Sequence, residues 1–456
     1  MAKRESLHGN WSSRMAFILA VTGSAVGLGN IWKFPYITGE NGGGAFVLVY
    51  LLCVFAVGLP ILMSEILMGR RGRRNPVKTM EILGEEEGNS KHWKWLGMWG
   101  ILAGFLILSF YSVVAGWALA YVLKSMSGAF TGAETAAIAN TLGDHLGDWK
   151  SLLFWHTLFM IITAIIVGRG VQRGLEKAVQ FLMPALFFLL LVLLVYSMQS
   201  GSFMDGVKYL FEPDFSKLNA NSWIVAMGHA FFTLSVGMGA IMAYGAYLPQ
   251  NTSIGSTAVM VVFADTLIAL LAGLVIFPIV LANGLNPGEG PGLIFSTLPV
   301  AFSQMPLTTL FSTLFFVLLS FAALTSAIGL LEPAIAWTVE SFKWSRKKAA
   351  IIIGIVIWVI GLGTVFSFNL WSGEEYQFFG RTIFDNIDYL SSNIMLPLGG
   401  FFISIFAGWI MCRVSTSDEL GLGTDWRYTT WLWLSRIIAP LAVLFVMLVK
   451  LGFVNP

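Results

Sequence analysis

The amino-acid sequence predicts an all-α polytopic membrane protein of about eleven transmembrane helices, built as five plus five with the first and sixth helices broken. Three observations carry this prediction. The chain of 456 residues is 56% hydrophobic and 11% charged, less than half the charged share of an ordinary soluble protein, with a mean hydropathy of +0.76. Apolar runs of about twenty residues recur along the whole length, centred near residues 25, 55, 110, 160, 187, 235, 267, 322, 358, 400 and 440. Two of these runs, the first and the sixth, carry glycine clusters where a membrane helix should be most regular.

The first run extends from about Met15 to Tyr36 and contains Gly23-Ser24-Ala25-Val26-Gly27-Leu28-Gly29-Asn30, with Lys33 and Pro35 close behind. Glycine is a weak helix former, and proline removes a backbone donor. A break at this depth is tolerable only where the freed N–H and C=O groups face protein or water, because lipid cannot satisfy them. Gly23 and Gly27 also fit small-residue helix packing. The local density of glycine, with polar Ser24 and Asn30 among it, favours the break. The sixth run repeats the anomaly in Phe231-Phe232-Thr233-Leu234-Ser235-Val236-Gly237-Met238-Gly239. Interruptions at corresponding positions point to an inverted repeat with ion and substrate sites near the midplane. The whole chain, 1–456, then reads as one transporter domain. The first repeat covers about residues 12–200 and the second about 220–412, and an extra helix follows at about 427–452.

The connections alternate in charge. Lys3 and Arg4, Arg70-Arg71-Gly72-Arg73-Arg74, the Arg169/Arg173/Lys177 loop, Lys343 to Lys348, and Arg413 with Arg427 fall on one side. The loops from Thr131 to Asp148 and from Asn283 to Pro306 carry little bias. The positive-inside rule predicts a multi-pass protein of the plasma membrane, with a cytoplasmic N-terminus and, after eleven spans, an external C-terminus. Asn286-Pro287-Gly288-Glu289-Gly290-Pro291-Gly292 and the apolar Leu293 to Phe302 read as a re-entrant or cap-like external segment, too short to span. Cys53 and Cys412 read as buried thiols, not a disulfide. The net charge of +2 and the absence of a basic tract leave membrane lipid, not nucleic acid, as the surrounding partner. The sequence carries no nucleophile–base–orienter grouping, CxxC, HExxH or phosphate loop, so an enzyme is a poor fit.

Broken helices supply what a small cation and a carboxylate need: unwound carbonyls for the first, half-helix N-termini for the second. The eighth run adds an oxygen cluster in Ala322-Ala323-Leu324-Thr325-Ser326. Taken alone, those hydroxyls would back-bond to the preceding turn, as membrane hydroxyls commonly do. Asp265, inside the seventh run with no other charge, is a direct or second-shell partner of a cation, or else a structural partner of another polar group. Glu65 and Glu332 read as interhelical hydrogen-bonding groups. Gly174 and Pro184, with nine residues between them, either ease unwinding of the fifth helix and open a water path inward, or mark a plain proline kink.

The runs AVGLGNIWKFP (from Ala25), ENGGGAF (Glu40 to Phe46), EILMGRR (Glu65 to Arg71), FFTLSVGMGAI, FAALTSA and EPAIAW together resemble the neurotransmitter:sodium symporter family, in its prokaryotic amino-acid branch. The likeness covers essentially the first ten spans, and eleven spans is familiar in that branch. It implies a leucine-transporter-type inverted-repeat fold and sodium-coupled uptake, with two sodium ions. One sodium would take the carbonyls of Gly23, Val26 and Ala322 with the hydroxyls of Thr325 and Ser326. The other would take the Ala25 carbonyl, Asn30, Thr233, the substrate carboxylate and a helix 7 residue. The family usually has asparagine there, and the nearest polar residue in this chain is Asp265. An acid at this place leaves chloride an open requirement, since it can supply the charge that an anion supplies in some relatives.

The position where amine transporters of the family carry an aspartate is Gly27 here, which leaves room for the substrate's own carboxylate and implies an α-amino acid. Ala25, Gly27, Leu28 and Gly29 would line the substrate with backbone, Tyr111 would hold its carboxylate and Phe232 would be the lid, beside Thr233. Ile107, Ser235, Met238 and Leu330 would shape a largely apolar pocket, in which unbranched Met238 admits both aliphatic and aromatic side chains. Lys33 and Asp388 match the outer gate pair. Glu340 and Tyr247 fit the inner gate, with a basic partner among Arg4 and its neighbours. The expected function is sodium-coupled uptake of hydrophobic amino acids by alternating access. The rivals are a transporter-like receptor that binds amino acid without moving it, and a channel, which the lack of a repeated polar pore helix disfavours.

Overall fold

In the computed structural model, residues 4–88, 90–287, 292–423, 425–450 and 452–453 are described. Lys3, the 288–291 portion of the glycine-rich loop and Leu451 of the last predicted helix lie outside the described residues. Among the described residues, eleven helical units, with shorter helices in the connections between them, stand where the sequence predicts spans. They are α1 (Arg14–Ala25 and Gly29–Glu40), α2 (Gly44–Gly72), α3 (Lys91–Met126), α4 (Trp149–Gly168), α5 (Val171–Met198) and α6 (Ala220–Thr233 and Ala240–Gly245). They continue as α7 (Ile254–Ala282), α8 (Thr308–Phe342), α9 (Arg346–Ser367), α10 (Ile383–Ile410) and α11 (Trp426–Val449). Among the described residues, nine of these are long and apolar enough to cross a bilayer unbroken, and the two halves of α1 qualify together, bent by 50°. The halves of α6 do not qualify by length: the sixth span is two short rods joined by irregular chain.

Both breaks fall on the glycine clusters. The first half of α1 starts at an N-cap, Ser13, whose hydroxyl accepts from the Ala16 amide (3.1 Å). It ends at Val26, which is extended (φ −72°, ψ 103°). The first half of α6 is likewise capped by Asn219 and Ser222, and it ends at Thr233. Beyond it, Ser235 (φ +53°), Gly237 (φ +85°) and Gly239 (φ +73°) all take left-handed backbone. Only glycine does so without strain, and Ser235 is compensated by its hydroxyl, which donates to the Ser24 carbonyl in the break of α1 (2.8 Å). The two interruptions therefore touch.

Around them, α3 and α8 form the longest helix–helix contact and α1 lies against α8, so the breaks sit in the middle of the bundle. Close approach needs glycine in two places. A Cβ on Gly69 of α2 would run into the Met242 carbonyl, and one on Gly245 would stand 2.8 Å from the Ile66 carbonyl. These contacts press α2 against the second half of α6. Glu65 reinforces them as an interhelical group, accepting from the amides of Gly237 (2.6 Å) and Met242 (3.3 Å).

Three features of the connections differ from expectation and one agrees with it. The weakly charged stretch after α3 is not plain loop but holds a helix, Thr135–Gly147. The apolar stretch before α8 winds as Leu293–Ser303, shorter than a span and largely buried, as a cap-like segment should be. Cys53 is buried as expected, but Cys412 is exposed: it lies past the end of α10, where its sulfur caps the helix Arg413–Leu420. The start of α5, Val171–Glu176, is π-helical and contains Gly174, so this region is wound loosely and not unwound.

The left-handed joint of α6 gives a direct test. A Cβ on Gly237 would lie 2.5 Å from the Leu396 carbonyl in strained backbone, whereas a Cβ on Gly228, in regular helix, meets nothing within 4 Å. Gly237→Ala is expected to destabilise by roughly 2 kcal/mol or more. Gly228→Ala is expected to be neutral or slightly stabilising. Thermal unfolding of the detergent-solubilised protein separates them, and equal melting temperatures would refute the strain argument.

Candidate functional site

The break in α1 presents its carbonyls to α8. Ser326 Oγ lies within hydrogen-bond reach of the carbonyls of Gly23 (3.4 Å), Ser24 (3.0 Å) and Val26 (3.3 Å). Thr325 Oγ1 lies 3.4 Å from the Val26 carbonyl, 3.2 Å from that of Phe321 and 3.0 Å from that of Ala322. With Ser235, which also donates to the Ser24 carbonyl, three hydroxyl protons therefore face five carbonyl oxygens. Each hydroxyl can donate once and retains lone pairs. A cage with more acceptors than protons, and no fixed charge, suits a small hard cation. The back-bond of Thr325 to its own helix is present as well, so both readings of that hydroxyl coexist. The sequence did not single out the Ser24 carbonyl, although Ser24 sits inside the glycine cluster. Behind the cage stands α5: a Cβ on Gly23 would be 3.2 Å from the sulfur of Met183, the residue before Pro184.

A second cluster lies where α1, α6 and α7 meet. Asp265 is 0% exposed; its carboxylate accepts from the Asn30 side-chain amide (2.8 Å) and the Thr233 hydroxyl (3.1 Å). The same Asn30 nitrogen also donates to the Asp265 carbonyl (3.1 Å), while Asn30 Oδ1 accepts from the Gly27 amide (3.1 Å). The hydroxyl of Tyr50 on α2 faces Asp265 without a well-formed hydrogen bond. All of the carboxylate's partners here are neutral. A buried acid so placed favours a cation beside it.

Between the clusters lies a cavity of about 20 Å³, the room of a water molecule. Ala25, Gly27, Gly29, Ile107, Tyr111, Phe232, Ser235, Met238 and Leu330 line it together with Ser24 and Ser326. Nine of the eleven expected substrate residues are thus in one place. The other two, Leu28 and Thr233, stand just outside: the Leu28 amide donates to the Tyr111 hydroxyl (3.2 Å), and Thr233 turns to Asp265. A Cβ on Gly27 would collide with Ser326 and stand 2.8 Å from the Tyr111 hydroxyl, so that position admits no side chain.

The gates are arranged differently from the expected pairs. Among the described residues Lys33 and Asp388 form no ion pair. The Lys33 ammonium lies 4.8 Å from the centre of the Phe232 ring, and Asp388 accepts from Ser392 (2.8 Å). At the N-terminal end, Arg4 pairs with Glu86, and the basic partner of Glu340 is His8 (2.9 Å), joined by the backbone and side-chain amides of Asn75 (both 2.8 Å). Tyr247 does not reach Glu340; its hydroxyl donates to Glu332 (2.8 Å), which is also bound by Arg346. The reason is reach: Tyr247 and Glu332 are buried deeper, beneath Trp11, whose indole donates to the Tyr244 carbonyl (3.1 Å). Ser12 completes this closure by donating backbone N–H (3.1 Å) and hydroxyl to Glu176 at the start of α5.

Glu340→Ala strips the acceptor from His8 and Asn75, a loss on the order of 1–3 kcal/mol for buried partners. It is expected to raise the thiol-modification rate of Thr22→Cys, in a background without Cys53 and Cys412, by about tenfold. An unchanged rate would remove Glu340 from the closure.

The profile of the Sodium:neurotransmitter symporter family matches residues 8–142 and 137–456. An uncharacterized sodium-dependent transporter of Bacillus subtilis (strain 168), YhdH, is 38% identical over 452 residues, covering 98% of both chains. An uncharacterized sodium-dependent transporter of Haemophilus influenzae (strain ATCC 51907 / DSM 11121 / KW20 / Rd) is 34% identical, over 97% of this chain and 98% of its own. The crystal structure of MhsT in complex with L-phenylalanine superposes with a TM-score of 0.90 at 42% identity, covering 96% of this chain and 99% of that one. With its two broken helices meeting at a cage of oxygens, this chain belongs to the sodium:neurotransmitter symporter family, and is a membrane transporter, not an enzyme.

Proposed function

We propose that the protein is a symporter that couples inward sodium movement to uptake of hydrophobic L-amino acids, aliphatic and aromatic, by alternating access. The observation that carries this reading is the single cavity in which the broken backbone of α1 and α6 meets Tyr111 on one side and Ile107, Met238 and Leu330 on the other. Backbone amides and a tyrosine hydroxyl suit an amino-acid carboxylate; the apolar wall suits its side chain. The crowding at Gly27 argues against an amine-binding aspartate there. The L-phenylalanine bound by MhsT, a structural relative at 42% identity, supports the substrate class.

Sodium is the co-substrate. The cage of Gly23, Val26, Ala322, Thr325 and Ser326 would take one ion. Ala25, Asn30, Thr233 and Asp265, with the substrate's carboxylate, would take a second, and the charge of Asp265 supports transport without chloride. Sodium would hold the α1 break in place, and substrate would draw Tyr111 and Phe232 together. Inward release would follow loss of the Ser12–Glu176 and His8–Glu340 contacts, with Gly174 and Pro184 letting α5 yield. The basic connections at the N-terminal end support a cytoplasmic N-terminus in the plasma membrane. The five-helix spacing of the breaks supports repeats over about residues 12–200 and 220–412, with α11 an addition.

Radiolabelled amino-acid uptake into proteoliposomes under an inward sodium gradient tests this. Concentrative uptake of leucine, phenylalanine and tryptophan is expected, abolished when potassium replaces sodium and retained when gluconate replaces chloride. Saturable binding without accumulation would make the protein a receptor instead. Thr325→Val removes one oxygen from the cage and is expected to raise the sodium concentration for half-maximal binding by about tenfold, roughly 1.4 kcal/mol. An unchanged sodium dependence would unseat that residue.

A further inference from the structure

We infer that the groove between α4 and α9 is a binding site for one anionic phospholipid of the leaflet on the N-terminal side. The groove has a volume of about 440 Å³, its lining is almost wholly apolar, and its mouth carries two cations. Its walls run from Thr157 along α4 to Arg169, the residue just past that helix's end, and from Lys347 to Trp358 on α9. At 1.5 Å per residue each wall is about 17 Å long. That is about one leaflet of a hydrocarbon core of roughly 30 Å.

The two ends differ in chemistry. At the inner end the Trp358 indole donates to the Thr157 hydroxyl (2.9 Å), so the polar groups there satisfy one another and the floor of the groove is apolar. At the mouth stand Arg169 and Lys347, both exposed. Among the described residues neither is in an ion pair. The neighbouring cations are engaged: Arg346 with Glu332, and Lys348 over the Trp344 ring (4.6 Å). The carboxylate nearest along α5, Glu176, is taken by Ser12. Arg346 also donates to the Val167 carbonyl (3.1 Å), which fixes the start of α9 against the end of α4 and holds the two mouth residues together.

An acyl chain laid along Ile161, Ile165, Ile351 and Ile355, which are at least half exposed, places a phosphate between Arg169 and Lys347. Basic pockets between helices at the cytoplasmic face recognise anionic head groups by this arrangement. A second copy of this chain would instead meet two unpaired positive charges with two more of its own. Charge complementarity therefore selects the lipid.

The test is native mass spectrometry of the full-length protein in micelles containing equal amounts of phosphatidylglycerol and phosphatidylcholine. Each cation contributes about fivefold, so wild type is expected to retain the anionic lipid about 25-fold over the neutral one, and less at high salt. Arg169→Gln with Lys347→Gln is expected to erase that preference while keeping neutral-lipid binding. Ile355→Trp, which fills the groove, is expected to lower retention of both lipids. Thermal unfolding in neutral lipid checks that each variant is folded. Equal retention of the two lipids by wild type, an unchanged preference in the double variant, or efficient disulfide cross-linking of two copies through Ile355→Cys would overturn the proposal.

Discussion

A backbone that leaves the helix inside an apolar bundle must find a partner for every exposed N–H and C=O, and this requirement organises the middle of the molecule. The breaks in α1 and α6 meet it largely through each other and through three side chains. Ser235 donates to the Ser24 carbonyl, Glu65 accepts from two amides of α6, Asn30 accepts from Gly27, and Tyr111 accepts from Leu28. The interruptions are thus not two separate weaknesses. Each supplies the hydrogen bonds that make the other tolerable.

What those bonds leave over gives the site its chemistry. The α1 and α8 carbonyls together, five of them, outnumber the three hydroxyl protons of Ser235, Thr325 and Ser326 that face them, and Asp265 is surrounded by neutral donors only. One cluster lacks positive charge in a diffuse way, the other around a single carboxylate. Ser24 and Ser326 of the first cluster line the small cavity, and the second cluster joins it through Gly27, whose amide donates to Asn30. The family to which the chain belongs moves sodium with its substrate, and this shared wall is a physical route by which the two can be linked.

The breaks, the Thr325/Ser326 pair and Asp265 were legible because their signals are local, whereas Ile107, Tyr111, Phe232, Met238 and Leu330 were implied only by the family resemblance. Glycine density, adjacent hydroxyls and an acid in an apolar run stand out in any window of ten residues. The gates were not legible to the same depth. Glu340 and His8 lie 332 positions apart, and nothing near either residue shows that His8, not Arg4, falls within reach. Lys33 and Asp388 match the family's outer gate, yet in the fold Lys33 lies over the Phe232 ring and Asp388 accepts from Ser392, partners that neither residue's neighbourhood in sequence shows. Cys412 was misread because apolar flanks describe the run it follows, not the turn it occupies. The π-helical start of α5 was out of reach for another reason: glycine reports that a helix can loosen, not which looser form it takes.

The contact of α2 with the short second half of α6 has a mechanical consequence. Carbonyl oxygens sit where glycine side chains would be, and a carboxylate clamps two amides, so these segments have almost no freedom to slide past one another. They form one rigid strut. The left-handed residues from Ser235 to Gly239 then serve as its bearing, and torque applied to either half of α6 passes through them into the full length of α2. Arg70 and Arg71 lie within two turns of Glu65, a lever of about 9 Å at 1.5 Å per residue, so a rotation of a few degrees at the contact moves that end by less than about 1 Å. The charged end of α2 is thus tied to α6 almost without slack, and it follows that half-helix without enlarging its motion.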